Sequence, residues 1–135
     1  MESKCMFIKK NILIEIGFNE STASEIIRSV KIQLFREGLE LYGNPRIAFI
    51  PIDRTIEFLI GVSEKEISYH EIVNFLQNEI VHRNELIEWG IPKETASQLI
   101  KHAQQIMADE GYIFYQNTRR WFAPMKIIKQ LLGGK

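Results

Sequence analysis

Between Thr95 and Gln105 the chain sets Thr95, Ser97, Gln98, Lys101, His102 and Gln105 in a run that contains no carboxylate. At 3.6 residues per turn, all but the opening Thr95 lie off the apolar face drawn by Ala96, Leu99, Ile100, Ala103 and Met107. A glutamine amide can bond an adenine edge in a major groove, and a lysine can reach guanine or phosphate. Arg119 and Arg120 follow at the turn of a predicted hairpin. From such a tip, arginines touch phosphates or enter a minor groove. Together these residues predict contact with double-stranded DNA. Their plain structural reading is a solvated helix face and an ordinary basic turn.

Other chemistry is poorly served. His70, His82 and His102 are scattered, and none shares a metal-ligand spacing with Cys5 or with a carboxylate pair. No phosphate-cradling glycine loop, GxSxG or HExxH occurs. Glu15 and Glu88, like Glu37 and Glu110, recur near predicted helix ends, where capping or solvation explains them. Tyr42 and Tyr115 recur as well, but a recombinase nucleophile needs an arginine and histidine constellation in a much larger domain. They read as packing residues, as do Trp89, Trp121 and Phe122. The expectation is a protein without catalysis, metal or cofactor.

The elements that must position these residues come from a repeat. Shifted by 73 positions, Phe7–Pro51 falls on Ile80–Pro124 without a gap, and 16 aligned pairs are identical. They include Leu13/Leu86, Gly17/Gly90, Thr-Ala-Ser at 22–24 and 95–97, Tyr42/Tyr115 and Pro51/Pro124. Each copy parses alike. A short helix, "KKNILIEIG" or "HRNELIEWG", stops at a glycine suited to a left-handed terminus. Thr22 or Thr95 opens a longer helix, with Ala23, Ile26, Ile27, Val30 and Leu34 on the first copy's apolar face. Ala23 and Ala96 are small where two helices cross closely. "LELYGNPRIAFIP" and "YIFYQNTRRWFAP" then read as β-hairpins around an Asn-centred turn, and Pro51 or Pro124 starts a last helix.

The predicted fold class is α+β, mainly helical, with two tandem winged helix-turn-helix-like repeats joined by a connecting helix. The boundaries are 1–62 for the first repeat, 63–79 for the connecting helix and 80–135 for the second repeat. Ser68 and Glu71 suggest a capping box ahead of Ile72, Phe75 and Leu76 in that connection.

Charge separates the copies. The 135 residues hold 17 basic and 17 acidic side chains. Residues 1–72 carry nine basic against eleven acidic, and residues 73–135 carry eight against six. A basic half in a neutral chain is the electrostatic footprint of a nucleic-acid-binding face. The first copy has Glu25 where the second has Gln98. Arg28, Lys31 and Arg46 nevertheless offer a second DNA contact, while Ile32 and Phe35 stand outside the main apolar face. Those two suggest a protein interface, or packing within the chain.

Apolar content of 45%, charged content of 25% and a single cysteine fit a globular cytoplasmic protein. "MESKCMFIKKNILIEIG" lacks the continuous apolar run of a signal peptide or membrane span, so no membrane association is expected.

The second copy also carries a family resemblance. "ELIEWGIPKETASQLIKHAQQIM", "EGYIFYQNTRRWFAP" and "IIKQLLG" resemble a family of short, functionally uncharacterised proteins. These are encoded beside tyrosine-recombinase integrases on conjugative transposons of Gram-positive bacteria. The order of helix, helix, hairpin and helix is similar to the excisionases, small winged-helix recombination directionality factors. Pro45 and Ile47 depart from the pattern where the second copy has Thr118 and Arg120.

The resemblance implies a DNA-binding accessory protein of a mobile element, acting as an excisionase-like factor or transcriptional regulator. Its expected partners are double-stranded DNA, an integrase or other protein, and a second copy of itself. The alternative is a protein-interaction module that inhibits or adapts a host or phage protein, as anti-CRISPR proteins and repressor antagonists do.

Overall fold

The computed structural model describes residues 7–61, 69–116 and 120–134. The chain divides into two compact units, Met1–Leu76 and Gln77–Lys135.

The first unit opens with a three-residue strand, β1 (Phe7–Lys9), which runs directly into α1 (Lys10–Ile16). Ile12, Leu13 and Ile16 are its buried face. Gly17, at φ 132°, turns the chain where an L side chain would be strained. The long helix α2 (Glu20–Arg36) follows. Asn19 caps it, its Oδ1 accepting the Thr22 N–H at 2.8 Å. The helix therefore starts before Thr22, which sits buried in its first turn. Ala23, Ile26, Val30 and Leu34 are buried to 1% exposure or less. Ala23 allows the close approach of α1.

After α2 comes a tight 3-10 turn at Glu40–Gly43, then β2 (Phe49–Pro51) and α3 (Ile52–Ile60). The strand β2 pairs antiparallel with β1, Ile8 opposite Ile50. The hairpin expected over residues 39–51 is thus replaced by a ladder between the unit's first strand and its last. The reason is local. Asn44 turns the chain by accepting the Arg46 N–H on its own side chain, which is an Asx turn rather than a hairpin turn. Arg54 lays both guanidinium arms on the Glu37 carboxylate, tying α3 to the end of α2. That contact holds the Glu37 carboxyl below its ordinary pKa.

The second unit repeats the first. Its elements are β3 (Ile80–His82), α5 (Arg83–Glu88), α6 (Lys93–Asp109), a 3-10 turn at Ile113–Tyr115, β4 (Phe122–Pro124) and α7 (Met125–Leu131). They are preceded by α4 (Tyr69–Glu79), with Ile72 and Leu76 buried; it covers the described part of the segment 63–79 expected as a connecting helix. Ser68, the proposed cap of that helix, lies outside the described residues. Both strands, the long helix, the 3-10 turn and the start of the last helix recur 73 residues on. The register recurs too, Val81 opposite Ala123 as Ile8 is opposite Ile50. Tyr42 and Tyr115 are buried core residues, and burial pushes both phenols up in pKa.

One titration is built into the second ladder. His82 is half-buried against Phe122, its ring centroid 5.5 Å away, and Glu85 accepts its backbone N–H at 3.0 Å. Burial lowers the imidazole's pKa in the folded chain, only partly offset by the charge of Glu85. The unfolded chain therefore binds the proton more tightly. This contribution is whole above the ordinary imidazole pKa of about 6.5 and is lost as pH falls through it toward the lower folded value. Urea midpoints at pH 7.5 and 5.5 are expected to differ less for His82→Gln than for the unaltered chain.

Candidate nucleic-acid interface

α6 carries the residues that could read DNA, and packing sets their directions. Ala96, Ile100, Ala103 and Met107 are fully buried, which turns Thr95, Gln98, Lys101, His102 and Gln105 to solvent. The exposed stripe follows the 3, 4 spacing of one helix face. Glu94 and Asp109 stand only at its two ends, and Gln105 donates to the Asp109 carboxylate at 2.8 Å.

Ser97 is drawn off that stripe. Its hydroxyl accepts from Arg83 Nη1 at 3.2 Å. The Arg83 guanidinium lies 4.1 Å from the centre of the Trp121 ring, and the Lys101 ammonium lies 5.3 Å from it. Both cations lie within cation–π range of the indole, which draws Lys101 toward the rim of the helix. Arg83 is absent from the sequence-based set. It precedes α6 by a whole helix, and only the fold brings it beside Ser97.

Gln104, a polar side chain of the same helix, is only 6% exposed. Its amide donates to the backbone carbonyls of Arg120 at 2.8 Å and Phe122 at 2.9 Å. It thereby fastens the approach to β4 onto α6. Gln104→Leu is expected to cost about 1–3 kcal/mol in chemical denaturation, because two buried acceptors lose their donor.

Among the described residues, the strand expected to close a hairpin finds another partner. Ile113–Tyr115 make a 3-10 turn, and β4 pairs with β3. Arg119 lies outside the described residues. Arg120 is half-buried, its guanidinium 5.1 Å from the Phe114 ring centre, and burial lowers its pKa. It braces the turn instead of standing at a tip. Trp89, expected in the core, is 54% exposed at the end of α5, whereas Phe122 is buried.

The family model described as "Domain of unknown function (DUF3173)" matches residues 6–63 and again 79–135. The chain belongs to that family, once in each unit. No curated protein and no solved structure matches it significantly.

The two DUF3173 repeats carry different surfaces on one frame. Lys31 occupies the position of Gln104 and does the same work. Its ammonium donates to the carbonyls of Asn44 at 3.0 Å and Ile47 at 2.6 Å. Lys31 is therefore a structural tie rather than a free DNA contact. Arg28, the counterpart of Lys101, and Arg46 are exposed. Ile32 and Phe35 are 44% and 50% exposed, so they are not packed away within the chain. With Arg28 they line an open groove of about 650 Å³ beside α2. Its counterpart region in the second repeat holds the Trp121 indole. No helix among the described residues is long and apolar enough to cross a membrane.

Proposed function

We propose that the protein is a DNA-binding accessory factor of a mobile genetic element, an excisionase-like directionality factor or a transcriptional regulator, with α6 as its reading helix. The observation that carries this is the exposed, carboxylate-free stripe Thr95, Gln98, Lys101, His102 and Gln105. It sits on the second helix of a helix-turn-helix pair, in the unit with the basic balance. Arg83 and Lys101, held on Trp121, add positive charge at its edge. The factor works without catalysis, by occupying or bending DNA in the cytoplasm and recruiting a protein such as an integrase. The resemblance to proteins encoded beside integrases supports that setting.

The test is a binding titration with duplex DNA flanking the chain's own gene. The expected result is saturable binding that weakens linearly in log–log form as salt rises. No binding at low salt would remove this reading.

A second reading, a protein-interaction module, is favoured by the exposed Ile32 and Phe35 in the groove of the first repeat. Stoichiometric recovery of one host or phage protein, with no affinity for DNA, would select it.

A further inference from the structure

The groove of the first repeat has an internal template. In the second repeat, Trp121 lies over Arg83 and Lys101, and Ser97 bonds Arg83. The corresponding residues of the first repeat, 73 positions earlier, are Ala48, Lys10, Arg28 and Ser24. All four line the groove. The cations are kept, with lysine and arginine exchanged, and the serine is kept. The indole is reduced to a methyl. Ala48 leaves open the space that Trp121 fills, and the apolar flank of Ile27, Ile32 and Phe35 continues it. At about 650 Å³ the groove falls in the range that receives large anchoring side chains or a drug-sized ligand.

What fits this place is an aromatic ring with negative charge beside it. The chain presents one. Trp89 stands 54% exposed at the end of α5, and its counterpart Ile16 is buried to 6%. A tryptophan in place of a core isoleucine has turned outward. Glu88, immediately before it, is exposed, and Glu85 stands one turn earlier. Across the groove, Arg28 and Arg36 supply the opposite charge, while Lys10 already pairs with Glu20 at 3.1 Å. Local charge therefore favours joining the first repeat of one molecule to the second repeat of another.

We infer that the groove of the first repeat receives Trp89 of a second copy of the chain, its indole taking between Lys10 and Arg28 the place that Trp121 takes between Arg83 and Lys101. Such an exposed tryptophan, desolvated between cations, is the kind of anchor that dominates small interfaces.

Sedimentation velocity of the full chain, without DNA, tests this from about 10 to about 300 μM, the range in which a single-anchor contact populates. Concentration-dependent association is expected. Trp89→Ala should weaken it at least about tenfold, as loss of a hot-spot residue does. Ala48→Trp should weaken it similarly by supplying the indole from within. Arg28→Glu should weaken it too, and Glu88→Arg added to that variant should restore part of the loss, which keeps the test open should either tryptophan variant fail to fold. A monomer throughout the range would overturn the proposal. So would association indifferent to all of these changes, or a monomer that binds only an acidic tryptophan peptide from another protein. The assay contains no nucleic acid, so its outcome is separate from that of the DNA titration.

Discussion

Leu13→Ala is expected to destabilise the protein by about 2–5 kcal/mol, and Leu86→Ala by a similar amount. The two leucines are the same residue of the repeat, each 0% exposed on the short helix that packs against the long one. Removing the side chain loses its transfer free energy and leaves a cavity that close-packed neighbours fill only in part. Ala23 and Ala96, also at 0%, bring the helix pair too close to relax inward. A domain of this size has only several kcal/mol of stability in total, so either change takes away a large share of it. Urea denaturation followed by circular dichroism measures the loss. Costs below about 1 kcal/mol at both sites would mean that the helix pair is not the core of each unit.

Lys101→Glu is expected to weaken DNA binding by about 10- to 100-fold, the effect of removing a cation and setting a carboxylate against phosphates. Lys101 is exposed in the middle of the carboxylate-free stripe, and Trp121 holds its ammonium at the rim. Lys101→Ala separates the two parts of that effect. It should lower the salt slope by about 0.9, the share of one phosphate contact. Arg28→Glu, at the same place in the first repeat, is the control. Glu25 already stands one turn before it and disfavours DNA there, so its effect on DNA affinity should fall below about threefold, within the spread of surface changes. Equal losses from both variants would assign DNA contact to both repeats.

The duplication was fully legible, because identities at turns and core positions fall at one offset and the described strands recur at that same offset. The helices were legible from their 3.6-residue periodicity, and the buried sets on α2 and α6 follow it. Strand pairing was not. Three-residue strands have no period to read, and the partner of Phe49–Pro51 lies some forty residues back, at Phe7–Lys9. The apolar residues around Asn44 divide between a 3-10 turn that buries only Tyr42 and the strand that begins at Phe49, a composition shared with hairpins.

At the candidate interface, the exposed polar residues of α6 were legible because helix geometry alone directs them. The ties were not. Gln104 and Lys31 look like surface residues by spacing, and they are captured by backbone carbonyls that only the return of the chain brings near. Arg83 and Trp121 meet across 38 positions, which no local pattern signals. The one available hint was comparative. Positions 31 and 104 both carry a long donor side chain although their neighbours differ.

Amide chemical shifts of the ¹⁵N-labelled protein, followed as duplex DNA is added, locate the reading surface itself. Perturbations should concentrate on residues 95–105, with the side-chain amides of Gln98 and Gln105 among the largest, while those of α2 stay near their starting positions. Shifts confined to α2 and the first repeat's groove, or none at all under low salt, would contradict α6 as the DNA-contacting helix.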